Sequence, residues 1–174
     1  AEAKNPEACP PCRGDTPPSG HVDLAELPAS FFTAERTAQG CLFGKCHVLA
    51  KRHAVHLEDW SPEETAAFWM DVRLAVKVLR SVTKAERINV EVHANSAPHL
   101  HAHLFPRYLD DGFPSAPIDY RRTSPSPYED EDEFAWFVGK VREALAAEKQ
   151  KDNPFDDPPR KAPLCPTLCT GTLS

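Results

Sequence analysis

An α+β domain with a mainly antiparallel sheet of about five strands, one long central helix and a C-terminal helix is the fold class this sequence predicts. Three observations predict it. Strand and helix patterns are interleaved and do not form a regular βαβ series. Two strand patterns, Ile88 to His93 and Leu100 to Phe105, are separated by only a short loop, which suits a hairpin. The chain of 174 residues is long enough for one domain with a real core.

The elements follow in order. Residues 1–20 are rich in Pro, Gly and small polar residues and read as an irregular arm carrying Cys9-Pro-Pro-Cys12. HVDLAEL, from His21 to Leu27, and SFFTAER, from Ser30 to Arg36, read as two strands. CLFGKCHVLAKRH reads as one buried strand with a glycine interruption. The best helix signal begins at Ser61, an N-cap serine followed by Pro62 and by Glu64 at the capping-box position. Phe68, Val72, Ala75, Leu79 and Val82 then recur at helical spacing. INVEVH is a strand by its β-branched content, ANSAP a tight loop, and LHAHLFPRY a strand expected to end at Pro106. Residues 109–127 form a proline-rich loop that follows this strand directly and is a candidate wall for a substrate pocket. A second helix is expected from about Glu129 to Lys149, with Phe134, Phe137, Val138, Val141 and Leu145 on one face and an acidic start that suits the helix N-terminus. The expected layout is an arm at 1–20, a domain at 21–150 and a proline-rich, disordered tail at 151–174.

The formal net charge is −6, without a long basic run, so wrapping nucleic acid is not the expected task. No apolar run has the length of a membrane span, and the N-terminus lacks a signal-peptide hydrophobic region. The six cysteines therefore read as thiols or metal ligands in a cytoplasmic protein. Cys41 and Cys46 suit buried apolar positions, and Cys165 and Cys169 suit spare thiols in the tail.

The chemistry concentrates in PHLHAHLFPRY. On a strand, His99, His101 and His103 fall in a row on one face, roughly 6.5–7 Å apart, while Leu100, Ala102 and Leu104 face the core. Three readings of that row compete. It is a solvated polar stripe, a metal site using two or three imidazoles, or a nucleophilic centre in which a neutral imidazole attacks phosphorus while a neighbour acts on the leaving group.

The pattern His-φ-His-φ-His-φ-φ in PHLHAHLF resembles the signature of the histidine triad family of nucleotide hydrolases and transferases. AKRH, from Ala50 to His53, resembles the family's PKxH segment. SPEETAAFWMDV resembles its middle helix and INVEVHAN the strand before the triad, so the likeness runs from about Cys9 to Tyr108. It implies that His101 is the nucleophile toward the α-phosphorus of a nucleotide and that His103 assists the leaving group. It also implies that Asn95, with Ser96, contacts the phosphate. Many members have a longer glycine-rich loop before the triad than ANSAP. Glu35 is the nearest acid for the ribose hydroxyls, and a surface glutamate is the equal alternative.

Alone, CxxC is a weak signal. One group of triad proteins, and the related hexose-1-phosphate uridylyltransferases, hold a structural zinc on a CxxC, the histidine of the PKxH strand and the first triad histidine. Cys9, Cys12, His53 and His99 stand in that order, with His47 a less fitting substitute for His53. The resemblance thus implies a structural zinc ion, a nucleotide or nucleotidyl small-molecule substrate, and a homodimer with joined sheets. A zinc-stabilised nucleotide-binding or adaptor protein with little turnover is the alternative. His21, His47 and His56 carry no argument in the sequence. His93 reads as a structural or supporting histidine, and Trp60, Phe68 and Trp69 as core or helix-packing residues.

Overall fold

The structure, a computed structural model, describes residues 5–15, 20–37, 42–93, 98–122 and 126–151. Five strands form one sheet: β1 (His21–Glu26), β2 (Ser30–Glu35), β3 (Cys46–Ala50), β4 (Arg87–Glu91) and β5 (His101–Arg107). Their spatial order is β1-β2-β3-β5-β4, and every neighbouring pair is antiparallel. The helices are α1 (Pro10–Arg13), α2 (Pro62–Thr83) and α3 (Glu131–Lys151). The α+β fold with a five-stranded antiparallel sheet is the one predicted.

α2 begins where its local chemistry demands. Ser61 Oγ accepts from the Glu64 N–H at 3.2 Å, and Glu64 Oε2 accepts from the Ser61 N–H at 2.8 Å. Two orphan donors of the first turn are thereby satisfied. The helix buries Phe68, Val72, Ala75 and Leu79 against the sheet, and α3 adds Phe137, Val141 and Leu145 to the same core. From the strands, Phe32, Ala34, Cys46, Val48, Ala102 and Leu104 point into that layer at 0% exposure. Burying an aliphatic or aromatic side chain of this size is worth about 1.5–3 kcal/mol, so both helices are fixed to one face of the sheet. Asp71 of α2 pins the β1–β2 turn, accepting from the Ala29 N–H and the Ser30 hydroxyl, each at 2.8 Å.

Several boundaries differ from the sequence reading. β3 is confined to Cys46–Ala50, because Gly44 takes φ +81° in a turn. An L-residue rarely adopts that angle. β5 does not end at Pro106 but runs to Arg107. The proline is accommodated because pairing with β3 stops at Leu104 while pairing with β4 continues, Ile88 opposite Pro106. His93 lies beyond β4, and α3 starts at Glu131. Trp60 and Phe68 are core residues, whereas Trp69 is 38% exposed and meets Phe68 edge-on. Cys41, Asn95, Ser96 and residues 152–174, including Cys165 and Cys169, lie outside the described residues.

Candidate active site and metal centre

With the helices on one face, the other face of the sheet carries polar side chains. Register decides which of them meet. His21 lies opposite Glu35, Thr33 opposite His47, and His47 opposite His103. Alternation along β5 then puts His101, His103 and Phe105 on this face and Leu104 in the core. The triad of the sequence is divided by position: His99 precedes β5, and His101 opens it.

His99 belongs to a first cluster. Its Nδ1 lies 3.3 Å from Cys9 Sγ, 3.3 Å from Cys12 Sγ and 3.4 Å from His53 Nδ1. Cys12 Sγ is also 3.3 Å from His53 Nδ1, and all four donor atoms lie within 4.8 Å of one another. Ligands held roughly 2.0–2.3 Å from a tetrahedral ion sit at such separations. His99 Nε2 donates to the Ala50 carbonyl at 2.7 Å, which leaves the Nδ1 lone pair turned toward the sulfurs. The donor set, two thiols and two imidazoles, suits zinc. Burial pushes the Cys12 thiol up to about 11, with a hydrogen bond and charge from Cys9 adding to it, and burial lowers His99. The CPPC arm is the short helix α1 on Pro10 and Pro11, closed by Gly14 at φ +74°, and it carries Cys9 to 1% exposure. The described part of the arm, residues 5–15, is thus docked and carries a helical turn where the sequence reads as irregular.

The second cluster is a row of imidazoles. His101 Nδ1 donates to the His99 carbonyl at 2.7 Å, so Nε2 of the neutral ring keeps its lone pair. That Nε2 is 3.1 Å from His103 Nε2. His103 Nδ1 is 2.9 Å from His47 Nε2, and His47 Nδ1 is 3.2 Å from His21 Nε2. Beneath the row, buried Lys45 pairs with buried Glu35 at 2.7 Å; Glu35 lies 3.6 Å from His47 Nε2 and 3.8 Å from His21 Nε2. Burial holds all three outer rings toward neutrality. It lowers His103 to about 3, assisted by His101 and Lys45, lowers His47 well below its usual value, and lowers His21. His93 meets Glu91 at 2.9 Å and lies ring to ring with His103 at 5.2 Å.

His21 and His47 are the site residues that sequence reading missed. They sit on separate strands, and nothing in their local sequence announces that register brings them together. Glu35 is a buried partner of Lys45, at 4% exposure, and not a surface glutamate. A metal on His21, Glu35 and His47 is disfavoured, because a dication there would sit against the buried Lys45 ammonium that already neutralises Glu35.

The segment after β5 folds back over this face. Arg107 holds it through Asp111 at 2.5 Å, the Phe113 carbonyl at 2.6 Å and the Ala116 carbonyl at 3.0 Å. Phe113 and Ile118 pack on Phe105, whose ring stacks on His103 at 5.8 Å. Between this segment and β4 lies an open cleft of ≈ 550 Å³, lined by Asn89, Glu91, Arg107 and residues 113–117.

Residues 36–110 match the HIT domain. This segment of the chain is a HIT domain. Solved structures of similar fold include a zinc-bound histidine triad family protein from Mycobacterium smegmatis, at 21% identity and TM-score 0.61, covering 85% of this chain and 100% of that one. A hypothetical histidine triad nucleotide-binding protein from Sulfolobus tokodaii matches at 16% identity and TM-score 0.63, covering 84% and 96%. A diadenosine triphosphate hydrolase from Plasmodium falciparum matches at 12% identity and TM-score 0.51, covering 74% and 77%. At these identities the likeness is one of fold. A comparison with curated proteins gives no match. The HIT match begins at Arg36, so it spans β3 to β5 but leaves out the CPPC arm, β1 and β2.

Proposed function

We propose that this HIT chain is a nucleotidyl hydrolase or transferase acting at a nucleoside 5′-phosphoryl centre. One observation carries the reading. The hydrogen bond from His101 Nδ1 to the His99 carbonyl, at 2.7 Å, fixes the neutral tautomer in which Nε2 bears the lone pair, with His103 Nε2 3.1 Å away. A nucleophile and a proton donor side by side suit a two-step displacement.

In the first step the His101 Nε2 lone pair forms a bond to the α-phosphorus. The bond to the leaving group breaks, and the leaving atom takes its electron pair and the proton from His103 Nε2. In the second step a water oxygen attacks phosphorus and the P–N bond breaks, returning its electrons to His101 Nε2. The water proton passes to His103 Nε2. A phosphate acceptor in place of water makes the same chemistry a transfer. Asn95 and Ser96, just ahead of the triad, are proposed as phosphate contacts. The cleft is floored by Asn89 and by Glu91, which lies opposite His103 in the β4–β5 register, and it offers room for the rest of the substrate.

Cys9, Cys12, His53 and His99 would hold a structural zinc ion. Its contribution is to tie the arm to the catalytic strand, and His99 then acts on His101 through its backbone carbonyl. A homodimer joined through an edge of the sheet is proposed with it, since β4 ends the strand order.

The test is intact-protein mass spectrometry after brief mixing with nucleoside phosphoramidates and dinucleoside polyphosphates, quenched without acid. The expected result is an added nucleotidyl mass that His101→Ala lacks. Turnover without an adduct, or an adduct retained by His101→Ala, would overturn the mechanism. Binding with neither adduct nor turnover would establish the nucleotide-binding alternative.

A further inference from the structure

We propose that Cys9 and Cys12 form a reversible oxidation site, at which a hydroperoxide closes a disulfide and frees the arm from the sheet. The inference rests on the reading of this cluster as a structural zinc centre. It is independent of the phosphoryl chemistry.

The four residues of the cluster are unequally placed. Cys9 is 1% exposed and His99 2%, and His53 is half-buried, whereas Cys12 is exposed. Among the described residues Cys12 is the only exposed thiol, since Cys46 lies in the core. α1 sets Cys9 at its N-cap and Cys12 within the first turn, with Pro10 and Pro11 between them to fix the backbone. Both sulfurs lie 3.3 Å from one nitrogen, His99 Nδ1, and within 4.8 Å of each other. An outer sulfur that solvent reaches thus has an inner one beside it to complete a bond. Ligation of zinc requires both sulfurs as thiolates, which is the form that oxidants attack.

The electrons balance in two steps. The Cys12 thiolate attacks the terminal hydroxyl oxygen of the peroxide. An S–O bond forms, the O–O bond breaks, and the departing oxygen takes a proton from solvent to leave as an alcohol, or as water from hydrogen peroxide. The Cys9 thiolate then attacks the Cys12 sulfur. The S–S bond forms, the S–O bond breaks, and the hydroxide takes a proton to leave as water. The two sulfurs have given up two electrons to the peroxide. Two of the four donors that would hold zinc are gone, because the thiolate is the metal ligand.

Little else fastens the arm. Of residues 5–15, only Cys9 is buried. Among the described residues, every hydrogen-bonding contact from this segment to the rest of the chain ends on a cysteine sulfur: Cys9 with His99, and Cys12 with His53 and His99. The bonds of Asn5 and Arg13 stay within the arm. Closing sulfurs that lie within 4.8 Å to the roughly 2.0 Å of a disulfide turns them from the imidazoles to each other. His99 keeps its Nε2 bond to the Ala50 carbonyl at 2.7 Å, so the arm departs without taking the sheet apart.

The test begins with the zinc content of the purified chain. The protein is then treated with a small excess of hydrogen peroxide, its remaining thiols are blocked with iodoacetamide, and it is digested. The expected product is the tryptic peptide Asn5–Arg13, unalkylated and lighter than its dithiol form by two hydrogens. In undigested protein, a zinc-binding dye should record metal release in step with the disulfide. Native cleavage by trypsin after Arg13 should rise at least tenfold, and dithiothreitol with added zinc should restore protection. The combined variant Cys41→Ser, Cys165→Ser and Cys169→Ser should respond as the wild type does. An unoxidised pair, a Cys12 that stops at sulfinic or sulfonic acid, a disulfide from either cysteine to another thiol, or a closed disulfide with Arg13 still protected would each overturn the site. So would loss of the response in the combined variant. In a chain that carries zinc, any of these outcomes sinks the oxidation site alone. A chain that carries none takes the structural-zinc reading and this inference down together.

Discussion

His99 makes two sets of contacts with two parts of one residue. Its ring faces Cys9, Cys12 and His53, and its carbonyl fixes the tautomer of His101. Around it, burial keeps His21, His47 and His103 from taking up protons in the folded state. The sign of the pH dependence follows. Unfolded histidines titrate near about 6.5, so above that pH neither state is protonated and these rings contribute no pH dependence. Below it the unfolded chain binds protons first, and stability falls as pH drops from about 6.5 toward the value of about 3 for His103. A melting temperature that falls across this window is expected, with a shallower fall in His47→Gln measured in the same metal-containing buffers. Identical slopes in the two proteins would remove His47 as a cause. The three alternate histidines were visible in the sequence because strand geometry is local. His21, His47 and Glu35 were not, since their meeting depends on which residue of one strand lies opposite which of the next.

At the level of single elements, α2 is the clearest case of sequence specifying structure. Serine, proline and glutamate at Ser61, Pro62 and Glu64 act within one turn, so the start of the helix follows without tertiary help. Ser61→Ala is expected to lower the unfolding free energy by about 1 kcal/mol in a denaturant titration, the usual worth of an N-cap. The turn before β3 has the opposite character. Gly44 looked like an interruption within a strand, yet it ends that strand's reach by adopting φ +81°. A Cβ there would also meet Thr83 Cγ2 at 2.6 Å. Gly44→Ala is therefore expected to cost roughly 1–3 kcal/mol, within the range of strained backbone and overpacking. Adding Thr83→Ser removes the clashing methyl and should recover part of the loss, because Ser81-like hydroxyl bonding to the preceding turn is retained at that position by the Thr83 Oγ1 contact to the Leu79 carbonyl. No recovery in the double variant would assign the cost to the backbone angle together with the Pro106 ring, whose Cγ would lie 3.2 Å from the new Cβ.

Over the whole molecule, the arm is a non-local element joined to the sheet by the cysteine–histidine cluster. If zinc occupies it, removal should act as an unfolding of that arm, since binding energy at such a site is folding energy. Chelation is expected to release about one zinc per chain, lower the melting temperature and open Arg13, within α1, to trypsin. Cys12→Ser should lose the metal and show the same cleavage pattern without chelator. A chain that carries no zinc and stays resistant at Arg13 would refute the structural role. Among the described residues no helix is long and apolar enough to cross a membrane. The amino-acid sequence by itself determined the α+β class, the capped central helix, the core-facing periodicity and the row of histidines on β5, because each depends on neighbours within a few residues. It also placed Cys9, Cys12, His53 and His99 in order along the chain. Only the tertiary structure decided that those four converge, that Pro106 lies within β5, and that imidazoles from β1, β3 and β5 form one hydrogen-bonded line. Those facts rest on strand register and on the docking of distant segments, which are set by burial of the whole core and not by any local pattern.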